Sequence, residues 1–380
     1  MHHFQTQTCT VLFPFSPPLF KERLVSTAFD TPHLLFALLA ASCSHHARLA
    51  YGSLSEVEKT TLEFTNLAVV GLRAAMNDAN ELHSVETAMT AMTLCTNDIC
   101  DGNLQSWRLH LTGVKELLST FFRKQQDSMR RSDPFAIFLA KWFATLDTSA
   151  GISGLDNHAV SNGQYWSINA KKHNAGAVDD FCGYSLELMP ILARLGTLAR
   201  SQQPRTSVSS DRSLTDASLS PDVNVWDEAR MIEAEILCLS NMFASEPTSC
   251  LEKGCTEESR STHQAFIYAA LLYLHRRIQL LPKDHPVVRE DIAGVINAVE
   301  EIKSFSTANI LILWPLFSAG CDTDDPWERS FIQTRMDNMR TLGMGNFTRA
   351  KELMHQYWNS GSHLRWDVYF ALSGTSLVLF

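Results

Sequence analysis

Nine cysteines and fourteen histidines are the residues of this 380-residue chain whose types could hold a metal or carry redox chemistry. Their spacing favours neither. The cysteines stand at 9, 43, 95, 100, 182, 238, 250, 255 and 321, with no Cys-x-x-Cys pair anywhere. Zinc sites are commonly built from such close pairs. CTNDIC (Cys95 to Cys100) and CLEKGC (Cys250 to Cys255) each leave four residues between thiols and read as ordinary buried cysteines. A redox-sensing pair would need exposure and a lowered thiol pKa. His45 and His46 follow Cys43, but adjacent helical positions point about 100° apart and do not converge on one ion. An odd count at irregular spacing indicates reduced intracellular thiols rather than a disulfide framework.

Signatures of catalysis are equally sparse. In SAGISGLD, Ser153 lies between Gly151 and Gly154 at the wrong spacing for a nucleophile elbow. There is no H-E-x-x-H and no phosphate-binding G-x-x-x-x-G-K. GMGNFT (Gly343 to Thr348) lacks the third glycine of a dinucleotide loop and predicts a turn between two helices. An all-α enzyme with a site assembled from distant residues would draw on His110, Asp147, His275 and Asp284, whose spacing does not argue for convergence. A helical scaffold without a ligand is the other alternative.

The elements that would position any site are helices. In SWRLHLTGVKELLSTFF, apolar residues recur at Trp107, Leu111, Val114, Leu118, Phe121 and Phe122, the stripe of an amphipathic helix. HQAFIYAALLYLHRRIQLLP repeats the pattern through Phe266, Ala270, Tyr273, Leu274, Ile278 and Leu281. Its polar tip, His275-Arg276-Arg277, suits a helix C-terminus, and Pro282 ends it. Asp325, Pro326 and Glu328 combine an N-cap, a first-position proline and a first-turn acid. That helix carries Phe331, Ile332, Arg335 and Met339 towards a stop at Gly343, and another starts near Asn346. No convincing series of alternating strands occurs. The expected fold is all-α, a large irregular multi-helix domain over 21–380 behind an extended segment at 1–20. Residues 201–222, rich in Ser, Asp and Pro, predict a flexible insertion whose serines are candidate phosphorylation sites.

Composition bounds the partners. Hydrophobic residues make up 45%, with 21 Phe and 8 Trp, enough for a sizeable core. Against 41 acidic residues stand 32 basic ones, a net charge of −9, which argues against a surface built to neutralise phosphates. The densest basic stretch, RKQQDSMRR (Arg123 to Arg131), reads as a solvated helix end or loop. The N-terminus lacks the pattern of a signal peptide, and the longest apolar run, AFIYAALLYL (Ala265 to Leu274), is well short of the roughly 20 residues of a membrane span. A soluble intracellular protein is expected.

Five stretches in order carry a resemblance: LLFALLAASCSHHARL from Leu34, DICDGNLQSWRLHLTGVKELL from Asp98, FLAKWFATLDTSAGISG from Phe138, AFIYAALLYLHRRIQLLPKDHPVV from Ala265 and ILWPLFSAGCDTDDPWERSFI from Ile312. Together they resemble the helical regulatory domain of fungal-specific transcription factors, the class usually headed by a binuclear zinc cluster. The resemblance implies a nuclear transcription regulator of a metabolic or secondary-metabolite gene set, without catalysis or cofactor, responding to a small-molecule effector or a partner protein. The six-cysteine cluster of such factors has no counterpart here. Ahead of Leu34 stand one cysteine, Cys9, and two basic residues, Lys21 and Arg23. DNA binding is therefore not carried over, and a DNA-binding partner factor or co-regulator is expected. In the family the Trp-Pro-Leu-Phe stretch belongs to a buried helix; Pro315 should kink a helix or begin one. A ligand pocket, if present, should lie between helices and draw on Trp107, Trp142, Tyr273, Trp314 and Phe317.

Overall fold

The computed structural model describes residues 1–51, 57–102, 107–126, 134–154, 178–202, 223–245, 257–375 and 379–380. Among them the chain forms α1 (Cys9–Leu12), α2 (Pro18–Asp30), α3 (Pro32–Tyr51), α4 (Glu58–Asn77) and α5 (Val85–Cys100). Then come α6 (Trp107–Gln126), α7 (Pro134–Ile152), α8 (Leu188–Ser201), α9 (Val223–Ser245) and α10 (Glu257–Tyr273). The C-terminal third holds α11 (Pro286–Glu300), α12 (Leu313–Asp322), α13 (Pro326–Met339), α14 (Gly345–Asn359) and α15 (Trp366–Leu372). No strand occurs among the described residues, where one isolated antiparallel bridge joins Val178 to Ser185. The fold is all-α, as the periodicity requires. The expected insertion at 201–222 lies almost wholly outside the described residues, as does the Cys250–Cys255 pair.

Local sequence sets the helix boundaries where caps are strong. The Asp325 carboxylate accepts from the backbone N–H groups of Trp327 and Glu328, and Pro326 opens α13. After Met339 that helix tightens into a 3-10 turn, Arg340–Leu342, which Gly343 caps with φ of 69°, a left-handed conformation that suits a residue without Cβ. Pro315 sits in the first turn of α12, directly after a 3-10 turn at Thr307–Ile312, so it begins a new helix rather than kinking an old one.

The N-terminal segment departs from expectation. Residues expected to be extended form a π-helical turn at Phe4–Thr8 and then α1, while α2 already starts at Pro18. Phe4, Cys9, Leu12 and Phe13 are buried in the main core, and the prolines at 14, 17 and 18 fall between the helices or, at Pro18, open α2. Phe13 meets Trp142 at 5.1 Å, Phe138 at 5.3 Å and Phe181 at 5.7 Å, ring centroid to ring centroid. This tertiary aromatic packing leaves no trace in the local sequence.

The main core runs from Phe4 to Leu379. Within it α10 packs against α8, α9, α11 and α12. Its approach to α11 is close because residue 294 is glycine: a Cβ there would lie 2.4 Å from the Tyr268 ring.

Candidate functional site

All five aromatic candidates are buried. Tyr273 and Trp314 pack together at 6.1 Å, and Phe317 meets the edge of Trp366 at 5.3 Å, so these three form a wall of the core. Trp107 lies at the start of α6, with its backbone carbonyl facing the Cys95 thiol at 3.9 Å. Trp142 lines a cavity, shared with Phe4, Thr8, Leu38, His45 and Thr96. Its free space is about 10 Å³, room for about one water. Among the described residues Trp142 Nε1 and Thr96 Oγ1 have no hydrogen-bond partner, which suits a small hydrated pocket.

The polar tip of the α10 segment is the larger surprise. Leu274–Ile278 is a π-helical turn, closed by a bond from the Gln279 N–H to the Leu274 carbonyl at 2.9 Å. His275, Arg276 and Arg277 are all buried within it. Successive positions point in different directions, so each meets an acid on a different helix. His275 Nδ1 is 2.6 Å from Asp291 of α11, Arg276 Nε donates to Asp322 of α12 at 2.7 Å, and Arg277 Nε lies 3.0 Å from Asp367 of α15. Buried charges are tolerable only when paired in this way. Burial alone would lower the His275 pKa, but the hydrogen bond to Asp291 and its charge, with Glu233 beyond, hold it raised. The two carboxyls divide. At Asp322 desolvation outweighs its single arginine and raises the pKa, whereas at Asp367 the same desolvation is overcome by Arg277 and Arg365.

Above this network opens a cleft of about 660 Å³, a size suited to a small molecule. Arg276, Lys283, Arg329 and Arg365 line it, with Asp324 as the opposing carboxylate and Tyr357 and Trp358 as aromatic walls. Lys283 Nζ stands 5.5 Å over the Tyr357 ring, and the Arg329 guanidinium 5.0 Å over that of Trp358. Leu280 lies at the edge with φ of 58°, the left-handed region that side chains rarely enter. The strained turn lets the Leu281 N–H reach the His275 carbonyl at 2.9 Å, and the Leu281 carbonyl accepts from Arg276. A second groove, of about 800 Å³, sets Arg48, Arg340 and Arg349 against Asp101, Asp337 and Glu352. Its charges balance within the lining; in the first cleft Asp324 alone of the lining is acidic, while Arg276 and Arg365 also pair with the buried Asp322 and Asp367 beneath it.

Residues with catalytic or metal potential are engaged elsewhere. His110 pairs with Asp98 at 2.7 Å on the surface of α6, Asp147 is buried on α7, and Asp284 is exposed in the turn before α11. Among the described residues no group of three or more His, Cys, Asp or Glu could hold a metal ion. His45 is buried: its Nε2–H donates to the Leu342 carbonyl at 2.9 Å, and Thr8 Oγ1 stands 3.0 Å from its Nδ1. Burial pushes the Cys100 thiol up to about 12 and raises that of Cys95 as well, opposite to what a redox sensor requires. No helix among the described residues is long and apolar enough to cross a membrane.

Fold and cleft define an all-α domain with one main core and a cationic opening at its C-terminal third. The chain belongs to the fungal specific transcription factor domain family, which it matches over residues 1–380. No curated protein and no solved structure matches it.

Proposed function

We propose that this chain is the regulatory part of a nuclear transcription regulator that controls a metabolic or secondary-metabolite gene set. It acts without catalysis, in response to a small-molecule effector and through a DNA-binding partner factor or co-regulator. Family membership supports the transcriptional role. One observation carries the effector: Arg276 lines the open cleft and at the same time holds the buried Asp322. A molecule bound at the mouth therefore acts on the joint between the α10 segment and α12. Such a differential contact is what a ligand needs in order to shift a conformational equilibrium.

The test is a reporter driven by the full chain fused to a heterologous DNA-binding domain. Output should differ from that of the DNA-binding domain alone, and Lys283→Gln should move it. Identical output from the two would defeat the regulatory reading. Mapping the 5′ end of the transcript tests the partner: six clustered cysteines encoded in frame upstream would replace it with direct DNA binding.

A further inference from the structure

The cleft beside the π-helical turn carries a chemical preference of its own. On a chain of net charge −9, four cations converge on it and Asp324 is the carboxylate that faces them. They come from separate places: Arg276 from the π-turn, Lys283 from the turn before α11, Arg329 from α13 and Arg365 from the residue preceding α15. Each is already oriented. Arg329 Nε donates to the Thr323 carbonyl at 3.0 Å, Arg365 contacts Asp367 at 3.2 and 3.3 Å, and Arg276 is held by Asp322. Preorganised guanidinium groups lose little freedom on meeting an anion.

Asp324 shows where an acid group fits. A single oxygen, Oδ1, lies 3.2 Å from Lys283 Nζ and 2.5 Å from Arg329 Nη2. Yet the side chain is 66% exposed and sits on the short loop between α12 and α13. An exposed ion pair contributes little to stability, so an outside anion can displace it at small cost. The walls are Tyr357 and Trp358, which offer apolar faces to the body of an organic molecule.

We infer that this cleft binds a small organic polyanion, one acid group taking the place of the Asp324 carboxylate between Lys283 and Arg329 and another reaching Arg365. The shared chemistry is that of oxyanions, carboxylate or phosphate. Asp324 is then an internal competitor that sets the affinity. As the effector site, the cleft rests on the regulatory reading above; as an anion site, it stands on its own geometry.

The experiment titrates the full chain with citrate and with pyrophosphate at matched ionic strength, which removes general screening. Calorimetry and thermal unfolding give the readouts, since a ligand of the folded state raises apparent stability. At least one probe should bind at a single saturable site; citrate alone would identify a carboxylate ligand, pyrophosphate alone a phosphate one. Lys283→Gln and Arg329→Gln should each weaken binding about tenfold, the loss of one charged hydrogen bond. Asp324→Asn should tighten it, a change of opposite sign that general damage to the fold cannot imitate. The inference is overturned if neither probe saturates, if both glutamine variants bind as the parent does, or if Asp324→Asn weakens binding. Binding in solution with a silent reporter would leave this inference standing and fail the regulatory reading instead.

Discussion

Arg277 Nε lies 3.0 Å from the Asp367 carboxylate, and both side chains are almost completely buried, at 2% and 1% exposure. This contact ties the end of the α10 segment to the last helix. The guanidinium is also sandwiched, 4.3 Å from the Tyr273 ring centroid and 4.8 Å from that of Trp366, and donates through Nη1 to the Ile152 carbonyl at 3.1 Å. Arg277→Met should destabilise the chain by about 3–5 kcal/mol, because Asp367 keeps its burial and loses its closer partner. Arg365→Met should cost less, since Arg365 is 27% exposed. Chemical unfolding of both variants checks the order; an Arg277 variant within about 1 kcal/mol of the parent would show the pair to be dispensable.

How far these features were legible depends on how local their causes are. The α13 start was readable because the Asp325 carboxylate satisfies N–H groups only two and three positions on. The same locality predicted the stop at Gly343. His275-Arg276-Arg277 reads as a helix end because three polar residues ahead of a proline resemble one. Their acids stand at 291, 322 and 367, and no local pattern announces that pairing. The cleft was illegible for the same reason: its cations span residues 276 to 365, and only the folded chain brings them together. The large aromatics drew attention as pocket candidates, yet aromatic bulk marks a core as readily as a binding wall.

Gly294 fixes the distance between α10 and α11. In Gly294→Ala the new methyl would stand 2.4 Å from the Tyr268 ring at Cγ and Cδ1, close to the root of the side chain, where it cannot swing aside. A loss of about 1–3 kcal/mol is expected from this overpacking. Tyr268→Ala in the same chain should recover part of it, despite removing apolar contact. A double variant no more stable than Gly294→Ala alone would show that the clash is not the cause.

Leu280 allows the opposite experiment. Its left-handed conformation costs a side chain roughly 1–2 kcal/mol, and at 51% exposure it buries little in return. Glycine adopts the same conformation freely but loses more backbone entropy on folding, about 0.5–1 kcal/mol. Leu280→Gly should therefore stabilise the chain slightly, by about 0.5–1 kcal/mol on those two figures. The midpoint of denaturant unfolding reads this directly. A clear loss would mean that the leucine side chain holds the turn.

The acid limit of stability should be set in part by histidines that fold neutral. Burial lowers the His45 pKa to about 4, against the weaker opposing pull of the Leu342 carbonyl, and the nearby His3, Arg48 and His46 depress it further. Burial alone takes His263 to about 3; its Nδ1 accepts from the Ser185 N–H at 3.2 Å, which the neutral ring can do. The ordinary value for each is 6.5. Between the folded and unfolded values the unfolded chain binds more protons, so stability rises with pH. The contribution is complete above pH 6.5 and is lost as the pH falls, by up to about 1.4 kcal/mol per pH unit for each histidine. His45→Gln keeps a donor for the Leu342 carbonyl and removes the titration. Between pH 6 and pH 4.5, windows bounded by these values, its stability should fall less steeply than the parent's by about one proton's worth. Other titrating groups are common to both chains and drop out of the difference. Parallel curves would show that His45 is already protonated in the folded state or stays neutral in both.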